Sequence, residues 1–356
     1  SEPVGMPLLA RMLTTPLQVD VTDDAIGRLT TLLTECRLSR DGQVAVVVGS
    51  GTGEEVRAAL AGQVAAERFT EVCDGSVEEA IALAARVDSM AVDAVVGIGG
   101  GRTLDVTKFA ATRLGLPMVA VATNLSHDGL ASPVSVLQHG HTRRSYGVAA
   151  PAAVMVDLSF VRRAPTHFLR SGIGDVVSNL SAIADWRLAH EVMAEPIDGI
   201  AVALASTAAE AVVAQAGPTS GGGFLVCLAE SLILSGMAMS AAGTSRPCSG
   251  ACHEISHALD QRHPGIASHG EQVGLGALFA MFLRDDLDRV TQLAEVFRRH
   301  GLAVTPLELG IKPEQFVDAV LHGPETRPDR FTILEHLGLD EQAAHRACEA
   351  YLDFVG

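Results

Sequence analysis

Aromatic residues are scarce in this chain: they make up 4% of 356 residues, with one tryptophan and two tyrosines. That scarcity, beside abundant Ala, Val and Gly, argues against a β-sandwich and for close-packed helices around a parallel sheet. Positive charge is also short. Twenty-six Lys and Arg stand against 42 Asp and Glu, a formal net charge of −16. Such a surface repels nucleic acid and anionic membranes, so neither is expected as a partner. A small anionic substrate stays open, because local cations and helix N-termini override the global field. The six cysteines, Cys36, Cys73, Cys227, Cys248, Cys252 and Cys348, form no C-x-x-C pair. Scattered thiols in a chain of this length read as reduced and intracellular rather than as a disulfide framework. The opening SEPVGMPLLARML lacks a charged region followed by a long apolar run, so no signal peptide is expected. The most apolar stretch, residues 223–243, carries Glu230 and many small residues, which predicts a buried helix, not a membrane span. The expected location is cytoplasmic.

What is present is alternation. QVAVVVGSG (43–51), RFTEVCDG (68–75), VDAVVGIGGG (92–101), PMVAVAT (117–123) and AAVMVDL (152–158) read as strands. Helical spacing separates them, in GEEVRAALAGQV, in SVEEAIALAARV with Ser76 as its cap, and in RTLDVTKFAATRLG closed by Gly115. The pattern predicts an open parallel sheet with helices on both faces. SPVSVLQHGHTRRSYGV (132–148) reads as a hairpin. From Pro165 onward helix follows helix, which places a domain boundary near 160–165.

Four stretches carry chemistry. GIGGGRTLD (97–105) sets Gly99, Gly100 and Gly101 between a buried strand and a helix, where backbone and helix N-terminus can cradle a pyrophosphate. It departs from G-x-G-x-x-G, since Arg102 stands at the sixth position, and the next strand ends in Thr123 and Asn124 rather than in an acid. A plain tight turn explains the glycines equally well. HEISH (253–257) fits H-E-x-x-H, with His253 and His257 on one helix face and Glu254 in the place of a protease base. The extended form is absent, because Asp260 holds its glycine position. Asp175 in SGIGDVVSN, read near the start of an apolar helix, and His269 at a helix start in SHGEQVGLGALF are further candidates. One acid and two histidines from different helices would give a three-ligand metal site with open positions. Cys248 and Cys252 read as small packing residues. TNLSHDGLASP (123–133) is a dense polar loop after a strand's C-terminal end, where open α/β sheets bind ligands.

Together, GIGGGRTLDVTKFAA, SHDGLASP, SGIGDVVSN, SRPCSGACHEISHALD, SHGEQVGLGALF and RPDRFTILEHLGL resemble, in order, the sn-glycerol-1-phosphate dehydrogenase family of the iron-containing alcohol dehydrogenase and dehydroquinate synthase-like superfamily. The resemblance spans about residues 92–340. It implies an α/β nucleotide-binding domain over 1–162, an all-α domain over 163–356 and a cleft between them holding one divalent metal. Carried over residue by residue, it implies Asp175, His253 and His269 as metal ligands. Asp128, Asp175 and His257 become substrate contacts, with His257 and Asp128 in catalysis. Gly99, Gly100, Gly101, Arg102, Thr103 and Asp105 fall in the pyrophosphate loop, and Thr123, Asn124, Ser126 and Ser132 make further cofactor contacts. Glu254 is left facing solvent or capping the helix. The implied cofactors are NAD or NADP and zinc, with nickel or iron(II) also suited to the donors. The implied reaction interconverts a ketone phosphate and a secondary alcohol phosphate, and a homo-oligomer is expected. Two features stand apart. Cys252 occupies a position where the family commonly has glutamate. Ser50 and Gly51 stand where NAD-preferring relatives carry an aspartate, so NADP is expected to be accepted. The alternatives are a sugar-phosphate cyclase, which should show more pocket cations than Arg246 alone, an H-E-x-x-H zinc protease, and a non-catalytic nucleotide-binding scaffold.

Overall fold

The computed structural model describes residues 14–39, 43–140 and 142–356. The stretch 1–13, read above for a signal peptide, lies outside the described residues, as does His141 at the tip of the expected hairpin.

Unbroken runs of Val, Ala and Ile become strands that are buried on both faces. They are β1 (Gln18–Thr22), β2 (Val44–Gly49), β3 (Phe69–Val72), β4 (Ala94–Gly99) and β5 (Met118–Ala122). A hairpin of β6 (Val134–His139) and β7 (Thr142–Gly147) follows, then β8 (Ala153–Asp157). The six-stranded sheet has the order β1-β8-β5-β4-β2-β3, parallel throughout. The expected strands and the hairpin are all present. β1 is an addition: QVDVT alternates apolar and polar residues because it is an edge strand, paired only with β8.

Helices α1 (Leu29–Glu35), α2 (Gly53–Ala59), α3 (Val77–Asp88) and α4 (Gly101–Leu114) cover the sheet. Successive strand side chains point to opposite faces. Ala45 and Val47 of β2 share a core with Leu83 of α3 and Leu104 of α4; Val44, Val46 and Val48 pack with Leu29 of α1 and Val56 of α2. Ser76 caps α3 by accepting from Glu79 N–H, and Gly115 closes α4 at φ 66°, as the sequence predicts.

After β8 the described chain is helical: α5 (Leu158–Arg163), α6 (Thr166–Val177), α7 (Asn179–Met193), α8 (Gly199–Val213), α9 (Gly222–Ala242), α10 (Ala251–Arg262) and α11 (His269–Leu283). α12 (Leu287–His300), α13 (Pro313–Thr326), α14 (Ile333–Leu337) and α15 (Glu341–Val355) complete it. α9 is long and apolar enough to cross a membrane, yet 61% of its most apolar window is buried inside the fold, as its small residues and Glu230 predict. The core that lines the α3–α4 side of the sheet runs without a break into these helices.

Candidate metal and cofactor site

β4 enters α4 through Gly99–Gly100–Gly101. Gly100 is the N-cap, no side chain caps the helix, and its first turn holds no acid. The N–H groups of that turn are therefore left for a ligand, at the positive end of the helix dipole. The glycines are needed for a close approach. A Cβ on Gly100 would lie 2.4 Å from Asn124 Nδ2, and one on Gly101 would lie 1.9 Å from His127 Nε2. The loop after β5 thus closes directly onto the turn, and Thr123 N–H donates to Gly99 O at 3.1 Å. Arg102 is exposed beside Gly75, while Thr103 is buried against Gly49 and Gly99. Asn124 Oδ1 is buried without a partner among the described residues.

Asp105 takes a different position from the one the glycine motif implies. It is buried, pairs with Lys108 at 3.2 Å and accepts from Val136 N–H at 3.2 Å. The fully buried Lys108 donates to the carbonyls of Gly129 (2.6 Å), Ser132 (3.3 Å) and Val134. An ammonium has three hydrogens, and here all three tie down the loop that carries Asp128 and Ser132. Ser132 is buried and donates to Val134 O at 3.3 Å, whereas Ser126 is half-buried at the loop's centre.

The helical half meets this loop through glycines. A Cβ on Gly172 of α6 would lie 2.2 Å from Leu125 O, and one on Gly236 of α9 would lie 2.6 Å from the Ala131 carbonyl carbon. Between α6 and α11 there is no room for a side chain on either glycine: a Cβ on Gly174 would lie 2.1 Å from Gly270 O, and one on Gly270 would lie 1.8 Å from Ser171 O. On the other side of α11, a Cβ on Gly276 would lie 2.8 Å from Cys252 O of α10. Three helices are thereby drawn close enough for Asp175, His253 and His269 to present donor atoms all within 4.8 Å of one another. His253 Nε2 is 3.8 Å and His269 Nε2 3.9 Å from Asp175 Oδ1. Asp175 lies near the end of α6, not its start as read from the sequence, because the glycines before it are helix contacts rather than breaks.

The donor set fits a divalent cation. Burial, then the neighbouring rings, holds His253 well below the ordinary histidine range, and burial holds His269 down at about 3. Both rings are neutral at pH 7, the form that binds a metal. Each Nδ1 already has a partner: Cys252 Sγ at 3.4 Å for His253, and Ser256 Oγ at 3.3 Å for His269. Ser256 donates in turn to Gln272 Oε1 at 2.8 Å, so the His269 proton belongs on Nδ1 and Nε2 is free to ligate. Asp175 Oδ2 accepts from Asp128 N–H at 2.8 Å, leaving Oδ1 for the cation. Burial, then the Asp175 charge, pushes the Asp128 carboxyl well up. Cys248 and Cys252 are buried; burial pushes the Cys252 thiol up to about 12, so it stays protonated and packs rather than ligates.

One alternative and two expectations differ from the structure. His257 is not in the ligand cluster: its ring centroid lies 6.1 Å from that of His253 and 6.4 Å from that of His269, with the latter pair stacked. The geometry groups His253 with Asp175 and His269 rather than with His257. Glu254 is neither solvent-facing nor a cap. It is fully buried, accepts from Thr332 Oγ1 at 3.0 Å, and burial pushes it up to about 8. Finally, the pocket cations are not sparse. Arg246 is locked onto Glu195, but Arg327 and Arg330 converge on the His257 side, from the end of α13 and the loop after it. The sequence reading missed both, although RPDRF lies within a stretch that resembles the family.

The family profile of iron-containing alcohol dehydrogenases matches residues 20–165. The chain is 38% identical over 337 residues to a glycerol-1-phosphate dehydrogenase (NAD(P)+) of Hyperthermus butylicus, covering 93% of this chain and 95% of that protein. It is 40% identical over 340 residues to the enzyme of the same name from Thermofilum pendens, covering 92% and 95%. A solved structure of a probable glycerol dehydrogenase from Sinorhizobium meliloti 1021 shares the fold, with a TM-score of 0.77 at 22% identity over 97% of this chain and 99% of that one. The class is therefore that of the iron-containing alcohol dehydrogenases. Within it, the chain belongs to the glycerol-1-phosphate dehydrogenase family.

Proposed function

We propose that this protein reduces a ketone phosphate to a secondary alcohol phosphate with NADH or NADPH, and that the pair is dihydroxyacetone phosphate and sn-glycerol 1-phosphate or a related polyol phosphate. The observation that carries the reading is the meeting of Asp175, His253 and His269 beside a loop whose other end closes on the glycine turn. Zinc is the first expectation for the cation, with nickel and iron(II) also matching one carboxylate and two imidazoles. When bound, the nicotinamide supplies the hydride and the cation polarises the ketone. The α4 N-terminus with Gly99–Gly101 holds the pyrophosphate, and Thr123, Asn124, Ser126 and Ser132 orient the rest of the dinucleotide. The Asp128 carboxyl bonds to a substrate oxygen. His257 accepts from Arg327 Nε at 3.5 Å through Nδ1, so its ring proton rests on Nε2, ready for exchange with a substrate hydroxyl.

The protease reading loses its base, because Glu254 is bonded to Thr332 away from the ligand atoms. Arg327 and Arg330 remove the scarcity of cations as an argument against a cyclase. Relatives that are dehydrogenases at 38% and 40% identity support the redox reading. The division at 162/163 is proposed from the end of β8 at Asp157 and the start of α6 at Thr166. The six free cysteines suit the cytoplasm. A homo-oligomer is also proposed, to be checked by sedimentation. The test of function is loss of NAD(P)H absorbance with dihydroxyacetone phosphate against other ketose phosphates in zinc-loaded protein. Oxidation with at least one of them is expected; none with any would overturn the reading.

A further inference from the structure

Arg327 and Arg330 are half-buried guanidiniums with no carboxylate within 4.0 Å among the described residues. Arg246, by contrast, is buried and paired with Glu195. Both converge on a single hydroxyl: Ser245 Oγ accepts from Arg327 Nη1 at 3.4 Å and from Arg330 Nη2 at 2.9 Å. Arg330 also donates to Ser249 O, and the Ser249 hydroxyl is buried with no partner among the described residues. Burying like charges without a counter-ion is costly, so an anion is the missing partner.

We propose that Arg327 and Arg330, with the Ser245 hydroxyl between them, form the seat for the substrate's phosphate group. The stereochemistry fits. Ser245 Oγ receives two N–H donors, so its own hydrogen is free to donate outward. Arg327 Nη2 and Arg330 Nε have no described partner, which leaves N–H groups on both forks for a tetrahedral dianion. Arg327 Nε reaches His257, so the seat lies one imidazole away from the metal ligands. The seat would make the enzyme select a phosphorylated ketone over its neutral analogue. This rests on the dehydrogenase reading above.

The test compares metal-loaded wild type with Arg330→Gln, Arg327→Gln and Arg330→Lys, using dihydroxyacetone phosphate and dihydroxyacetone as substrates and inorganic phosphate as probe. The ratio of kcat/KM for the phosphorylated over the neutral ketone should fall about 10- to 100-fold in Arg330→Gln, through KM, with partial recovery in Arg330→Lys. Calorimetric affinity for inorganic phosphate should fall in parallel in both glutamine variants, while metal content stays at the wild-type level. An unchanged ratio together with unchanged phosphate affinity overturns the proposal. Wild type that oxidises no NAD(P)H with any ketose phosphate, yet binds phosphate through Arg330, sinks the proposed reaction and keeps the anion seat. Variants that lose folding cooperativity or metal are excluded from the comparison by their melting curves and metal content, and Arg330→Lys then carries it alone.

Discussion

His253 and His257 stand one helical turn apart, yet their surroundings give them different work. His253 leans on Cys252 and faces Asp175 and His269; His257 leans on Arg327. Glu254, between them, points to the opposite side of α10 and into the core. Replacing Glu254 with glutamine should therefore leave metal content intact and dehydrogenase turnover within about threefold of wild type, since an isosteric amide keeps the Thr332 contact. A loss of turnover of about 10³-fold or more would restore the protease-type base. At this scale the sequence was partly legible. Two histidines in HEISH announce a metal because period four places them on one face. Nothing local separates ligand from neighbour, since that depends on Asp175, 78 and 82 residues away by chain number. Arg327 and Arg330 were illegible for the same reason: their partners, Ser245 and His257, lie 70 to 85 residues upstream.

Among the elements, α6, α10 and α11 touch at glycines, and that contact sets the distances among Asp175, His253 and His269. A Cβ at Gly174 would meet a backbone carbonyl of α11 at 2.1 Å, which no side-chain rotation relieves. Gly174→Ala should cost about 1–3 kcal/mol of stability and weaken metal binding together with it, read by denaturant unfolding and metal titration. A variant with lower stability but wild-type metal affinity would show that the helix contact does not position the ligands. Lys108→Met should leave Asp105 without its counter-ion and three carbonyls without their donor, a loss of about 3–5 kcal/mol if the fold survives, measured by the same unfolding curves. Strands, the Ser76 cap and the Gly115 stop were readable because each rests on neighbours in sequence. The place of Asp175 in α6 was misread because SGIG looks like a break until α11 and the β5 loop are seen against it. β1 was missed because an edge strand with one neighbour has no need of an unbroken apolar run.

Across the whole molecule, the sheet half contributes the glycine turn and the Asp128 loop, and the helical half contributes the ligands and the arginines. Asp185 ties distant parts of the helical half together, since it is fully buried and accepts from Ala251 N–H (2.8 Å), Ile333 N–H (2.7 Å) and Arg284. It fixes the start of α10, which bears His253, against α14 and the end of α11. Because a cation held by Asp175, His253 and His269 would join three helices, it should stabilise the folded chain as a whole. At a free-metal concentration of 100 times Kd the gain is about 2.7 kcal/mol, visible as a higher melting temperature that a chelator reverses. A melting temperature indifferent to metal and chelator would contradict a shared site. The overall charge of −16 gave no hint of two arginines meeting at Ser245; that depends on the fold, not on the net balance.

The central claim is that Asp175, His253 and His269 hold one divalent cation, with His257 beside it but not on it. The direct measurement is bound zinc per chain, by elemental analysis after equilibrium dialysis, in wild type, His269→Ala and His257→Ala. The account predicts one zinc in wild type, near-complete loss in His269→Ala, and wild-type occupancy with impaired turnover in His257→Ala. Full occupancy in His269→Ala, or loss of zinc in His257→Ala alone, would contradict it.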